Sequence, residues 1–131
     1  MPTRTRALGL AAAVALLAAS VLTLSCLRRP VVLFDGRSEF NGRVIVTEHR
    51  GERSLRFSPD GARQSVIRPG APLLLALPYT RSAMVALALV PEPRRVLIIG
   101  LGGGAMAMFL RALFPEAEID GVDIDPQVIA V

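Results

Sequence analysis

Gly100-Leu101-Gly102-Gly103-Gly104 follows directly on the apolar run Arg95-Val96-Leu97-Ile98-Ile99, and Asp123 closes a second apolar stretch 23 positions after Gly100. Glycines let a chain turn sharply at a strand's carboxyl end and come close to a ligand without Cβ interference. Free amides at the start of the helix that follows can face a polar or anionic group. A carboxylate at the end of the neighbouring strand is placed to accept hydrogen bonds from ribose hydroxyls. These residues therefore point to nucleoside binding, with Gly100, Gly102 and Gly104 lining the ligand and Asp123 on its sugar. Asp125, directly before Pro126, has the chemistry of a helix cap, which frees Asp123 for the ribose. The bland alternative is a tight strand–helix corner with Asp123 as the cap. The glycine spacing does not select the ligand. Gly100-x-Gly102-x-x-Ala105 satisfies a dinucleotide fingerprint, and Gly100-x-Gly102-x-Gly104 equally suits a class I methyltransferase-like loop, which holds no pyrophosphate.

The elements that must position these groups can be read on either side. Residues 95–99 fit a short buried parallel strand. Ala105, Met106, Phe109, Leu110 and Leu113 recur at helical spacing, and Pro115 stops that helix. Residues 117–123 read as a second strand, and Asp125-Pro126 opens another helix. The result is one βαβ unit. Upstream, Pro78 marks a helix start, predicting a helix over about 79–89 before Pro91-Glu92-Pro93. Residues 30–72 read as strand and turn: 44–48 and 54–57 form a hairpin across His49-Arg50-Gly51-Glu52, and 64–67 form a short third strand. The expected fold class is thus α/β. A small β-hairpin domain over 30–70 precedes a truncated Rossmann-like domain over 71–131, behind an N-terminal apolar helix in 1–29.

Residues 7–27 carry no charge and are flanked by Arg4, Arg6, Arg28 and Arg29. Such a run just crosses a hydrocarbon core of about 30 Å. It predicts a membrane-associated protein, through either an uncleaved anchor or a secretory signal peptide with small residues at Ala18-Ala19-Ser20. Nearly balanced flanking charge leaves the side of the membrane open. The 131-residue chain has 15 basic and 11 acidic side chains, a net charge of +4. Every basic residue is Arg. They are scattered, with no aromatic ladder or basic helix, so nucleic acid is not an expected partner. A single cysteine excludes an internal disulfide and a cysteine metal site, and no His/Cys/Asp/Glu cluster has ligand spacing.

Further motifs sharpen the reading. Asp60-Gly61-x-x-Gln64-Ser65, Tyr79, Val96-Leu97-Ile98-Ile99-Gly100 and Val122-Asp123-Ile124-Asp125 occur in this order. Over residues 40–131 the chain resembles the spermidine synthase (polyamine aminopropyltransferase) family, and most closely its spermidine-synthase-like bacterial members. The resemblance implies a small β domain followed by a methyltransferase-like Rossmann domain, here only the N-terminal half. It implies S-adenosylmethionine, usually decarboxylated, as the donor of an aminopropyl group. A small-molecule amine such as putrescine is the implied acceptor, in polyamine biosynthesis. Gln64 and Tyr79 would then touch donor or amine. Gly100, Gly102 and Gly104 would line the donor and Asp123 would hold its ribose, with no catalytic residue in this stretch. A homo-oligomer is compatible with a longer form, and the fragment alone is expected to be inactive.

Three departures stand out. The family loop, GGGDG, has an aspartate where this chain has Gly103. Thr80 and Arg81 stand where the family has His and Glu, and Arg81 would repel a cationic polyamine. Arg68-Pro69-Gly70-Ala71 replaces an acidic segment. Rival readings are an S-adenosylmethionine-dependent methyltransferase, an NAD(P)-binding oxidoreductase and a non-catalytic membrane-anchored binding module.

Overall fold

A computed structural model describes residues 29–131, in which residues 31–131 form one compact unit. The apolar segment at 7–27, and with it the anchor, signal-peptide and N-terminal-helix expectations, lies outside the described residues. Among the described residues, no helix is long and apolar enough to cross a membrane.

The first half is an antiparallel meander: β1 (Val31–Ser38), β2 (Gly42–His49), β3 (Glu52–Arg56) and β4 (Ser65–Ile67) pair in sequence order. The β2–β3 hairpin turns through Arg50 and Gly51, both at positive φ (52° and 77°), between the paired His49 and Glu52. Two left-handed residues give a turn whose twist matches the strands it joins. The strand β1 was not among the expected strands. Gly36 is a strand residue lying under the Phe34 ring, where a Cβ would meet Phe34 Cζ at 2.5 Å. Asp35 accepts two 2.6 Å hydrogen bonds from Arg43 on β2. The Arg43 guanidinium holds the Asp35 carboxyl below its ordinary range and is itself shifted up by that carboxylate.

The connection holds α1 (Pro78–Ala83) and a 3₁₀ segment, Met84–Ala88. The predicted helix over 79–89 is therefore split. Pro78 sets its start as expected. Val85 and Leu89 are exposed, so little packing favours continuing α geometry beyond Ala83, and the chain tightens instead.

The second half is the expected βαβ unit: β5 (Arg95–Ile99), α2 (Ala105–Leu113) and β6 (Glu118–Val122), followed by the short α3 (Pro126–Ile129). β5 and β6 are parallel, with Ile98 opposite Gly121. The expectation that β5 is a buried strand holds in part. Ile98 is buried, while Leu97 and Ile99 are 61% and 81% exposed. Among the described residues, α2 covers one side of this pair and the alternation of β5 turns the other side outward.

Val128 of α3 is buried with Val44 and Leu55 of the meander, and Phe34, Val46 and Phe57 pack against them. The helix that follows the βαβ unit thus adds Val128 to the core of the antiparallel sheet.

Candidate functional site at the glycine corner

The corner at the end of β5 takes its shape from three left-handed glycines. Gly100, Gly102 and Gly104 have φ of 85°, 55° and 72°, a region costly for residues with a Cβ. Gly100 N–H donates to Val122 O at 2.9 Å, continuing the parallel ladder by one bond. Gly104 N–H donates to Leu101 O at 3.0 Å, which closes the turn. Gly104 is then the N-cap of α2 and brings no side-chain cap, so the first helical amides have no side-chain acceptor among the described residues.

Asp123 sits half-buried one residue past β6 and reaches back to this corner. Its Oδ2 accepts from Leu101 N–H at 2.9 Å and from Gly102 N–H at 3.3 Å. Its Oδ1 accepts from Asp125 N–H at 3.0 Å. The carboxylate therefore braces the glycine loop, and Oδ1 keeps acceptor capacity for one further donor.

Asp125 is the N-cap of α3, as its position before Pro126 predicts, and accepts from Gln127 N–H at 2.9 Å. The sequence does not foretell its other partners. The Ser38 hydroxyl and Asn41 Nδ2, at the tip of the β1–β2 hairpin, both donate to Asp125 Oδ2, the latter at 2.6 Å. Asp125 is 1% exposed. The Ser38 hydrogen bond, aided by Asn41 and the helix amides, outweighs burial and holds its carboxyl below the ordinary range. A continuous chain of hydrogen bonds therefore runs from the hairpin tip through Asp125 and Asp123 to the glycine loop.

Gln64 and Tyr79, 15 positions apart, meet at a backbone contact: Tyr79 Oη donates to Gln64 O at 2.8 Å. Both side chains are exposed, and partial burial shifts the Tyr79 phenol upward. Gln64 leads into β4, whose Ser65 touches the loop; a Cβ on Gly102 would lie 3.4 Å from Ser65 Cβ. Gln64 and Tyr79 therefore adjoin the glycine corner only through Ser65, the sequence neighbour of Gln64. Ser65 is the contact that residue type alone did not mark, although it closes the Asp60-Gly61-x-x-Gln64-Ser65 motif. Thr80 is buried with its hydroxyl on Leu77 O at 2.7 Å, and Arg81 donates to Leu75 O at 3.2 Å. These two departures from the family pattern are satisfied by their own chain. Among the described residues no group of His, Cys, Asp and Glu could hold a metal ion.

The chain is 39% identical over 88 residues to the polyamine aminopropyltransferase of Vibrio vulnificus, a match covering 65% of this chain and 29% of that protein. Such matches support a spermidine-synthase-like family. Its fold superposes on a probable spermidine synthase from Corynebacterium glutamicum with a TM-score of 0.60, at 19% identity, covering 76% of this chain and 37% of that one. A shorter match, 36% over 64 residues, joins the spermidine-synthase-like chain to the eEF1A lysine and N-terminal methyltransferase of Xenopus laevis, covering 44% of this chain and 9% of that protein. The chain spans about a third of the length of the aminopropyltransferases it matches. No protein-family model matches it.

Proposed function

We propose an aminopropyltransferase-like function, in which this chain supplies the donor-binding groups for alkyl transfer from an S-adenosylmethionine-type sulfonium nucleoside to a small amine, as in polyamine biosynthesis. The division proposed with it is a small β domain to about residue 70 and a nucleoside-binding domain beyond. The carrying observation is the Asp123 carboxylate on the Leu101 and Gly102 amides. A pyrophosphate at those amides would meet a negative charge already in place, whereas a sulfonium nucleoside carries no phosphate and gains from a nearby carboxylate. Asp123 Oδ1 would accept from a ribose hydroxyl. Gly100, Gly102 and Gly104 would line the nucleoside, and Gln64 and Tyr79 would border its tail or the amine. In the reaction the amine lone pair attacks the carbon bound to sulfur. The C–S bond breaks with its electrons left on sulfur, and the new ammonium loses its proton to solvent or a base.

The match to a methyltransferase supports a second reading, methyl transfer by the same fold from the same donor class. Membrane association through residues 7–27 and a homo-oligomeric longer form are further parts of the proposal.

Calorimetric titration of the full chain with methylthioadenosine and with NADH tests the reading. Methylthioadenosine should bind and NADH should not. Asp123→Asn should weaken the nucleoside by about tenfold, the scale of one hydrogen bond to a charged acceptor. Tighter binding of NADH, or an Asp123→Asn chain that binds as the parent does, would overturn it.

A further inference from the structure

Ser38 closes β1 and Gly42, at φ of 73°, opens β2, so the hairpin tip turns over Glu39, Phe40 and Asn41. Asn41 N–H donates to Ser38 Oγ at 2.9 Å, which leaves the hydroxyl's own proton free to donate elsewhere. It goes to Asp125 Oδ2, which also accepts from Asn41 Nδ2 at 2.6 Å. The other oxygen, Oδ1, caps α3 through Gln127 N–H, and Val128 anchors that helix in the core. A neutral Asn or Ser would cap a four-residue helix without burying a charge. A carboxylate 1% exposed and held by two hairpin side chains is therefore more than the cap requires.

What the hairpin side chains fix is the Asp125 main chain, whose N–H donates to Asp123 Oδ1 at 3.0 Å. The Leu101 and Gly102 amides hold Asp123 Oδ2. The Asp123 carboxylate is thus gripped from both sides, and its plane cannot turn without breaking a hydrogen bond. An acceptor already fixed in place binds a hydroxyl more tightly than one that must first be ordered. We infer that Ser38 and Asn41 are positioning residues for the nucleoside's sugar, acting through Asp125 on the orientation of Asp123. The inference rests on the nucleoside reading above. It extends the site into the antiparallel sheet, to residues 87 and 84 positions from Asp125 in sequence.

Calorimetry on the full chain uses two probes, methylthioadenosine and its 2′,3′-dideoxy counterpart, and the ratio of their affinities reports the grip on the sugar. Ser38→Ala and Asn41→Ala each leave Asp125 one side-chain donor and the Gln127 amide, so the cap survives. Each should narrow the ratio about fivefold, the scale of one net hydrogen bond, with affinity for the dideoxy probe as in the parent. Ser38→Thr keeps a hydroxyl and should keep the parent ratio. In an Asp123→Asn background the two alanine variants should have no further effect, because residues acting through one group are not additive. An unchanged ratio in both alanine variants, an equal loss for both probes, or full additivity with Asp123→Asn overturns the positioning role while nucleoside binding stands. A parent chain that binds neither probe, or that does not distinguish them, overturns the ribose reading and this inference with it.

Discussion

The antiparallel meander and the βαβ unit reach order by different routes. In the meander each strand pairs with its sequence neighbour, and register is set locally by a two-residue turn and a cross-strand ion pair. In the βαβ unit the two strands meet across an intervening helix, and much of β5 stays exposed. What holds that unit's corner is a single carboxylate on two loop amides, anchored in turn through Asp125 to the meander's hairpin tip. Local pairing makes the first region self-sufficient in register, whereas the second depends on contacts far apart in sequence. The candidate site sits in the dependent region.

The sharpest way to break this comparison is at the shared core. Leu55, on the meander, is buried with Val128 of α3. Leu55→Ala should cost about 2–5 kcal/mol in denaturant unfolding, and both halves should lose structure together. Separate transitions for the meander and the βαβ unit would show that Val128 does not couple them.

The next effect is confined to the corner. Gly104→Ala meets no neighbour within 4 Å but retains φ of 72°. It should cost about 1–2 kcal/mol from backbone conformation alone. An unchanged stability would mean that the corner does not require the left-handed geometry.

Acid separates the regions through Asp125. Its carboxyl is held below the ordinary range, so its contribution is fully present above about pH 4 and is lost as pH falls through the lower folded value. Asp125→Asn keeps a helix-capping side chain and should flatten the acid limb of the stability profile. An acid limb identical to that of the parent would remove Asp125 as the pH-sensitive tie between hairpin tip and glycine corner.

The smallest effect lies on the exposed parallel pair. Arg95 and Glu118 form a 3.0 Å ion pair with side chains 77% and 61% exposed. Glu118→Gln should change stability by less than about 0.5 kcal/mol, because solvent screens such pairs. A larger loss would show that β5–β6 leans on this pair more than its exposure implies.

The sequence by itself determined the order of elements around the corner, the β2–β3 turn at Arg50-Gly51, the cap at Asp125 and the three left-handed glycines. Each of these depends on residues within a few positions, where backbone sterics and hydrogen-bond chemistry act directly. It did not single out β1, whose strand character rests on its pairing with β2. It read 79–89 as one helix because periodicity is blind to whether the apolar face finds a partner. Only the tertiary structure decided that Asp123 braces the loop, that Ser38 and Asn41 hold Asp125, and that Ser65 occupies the space beside Gly103. Those contacts join residues 21 to 87 positions apart, and a hydrogen bond or a steric limit acts only once folding has brought its two atoms within a few ångströms.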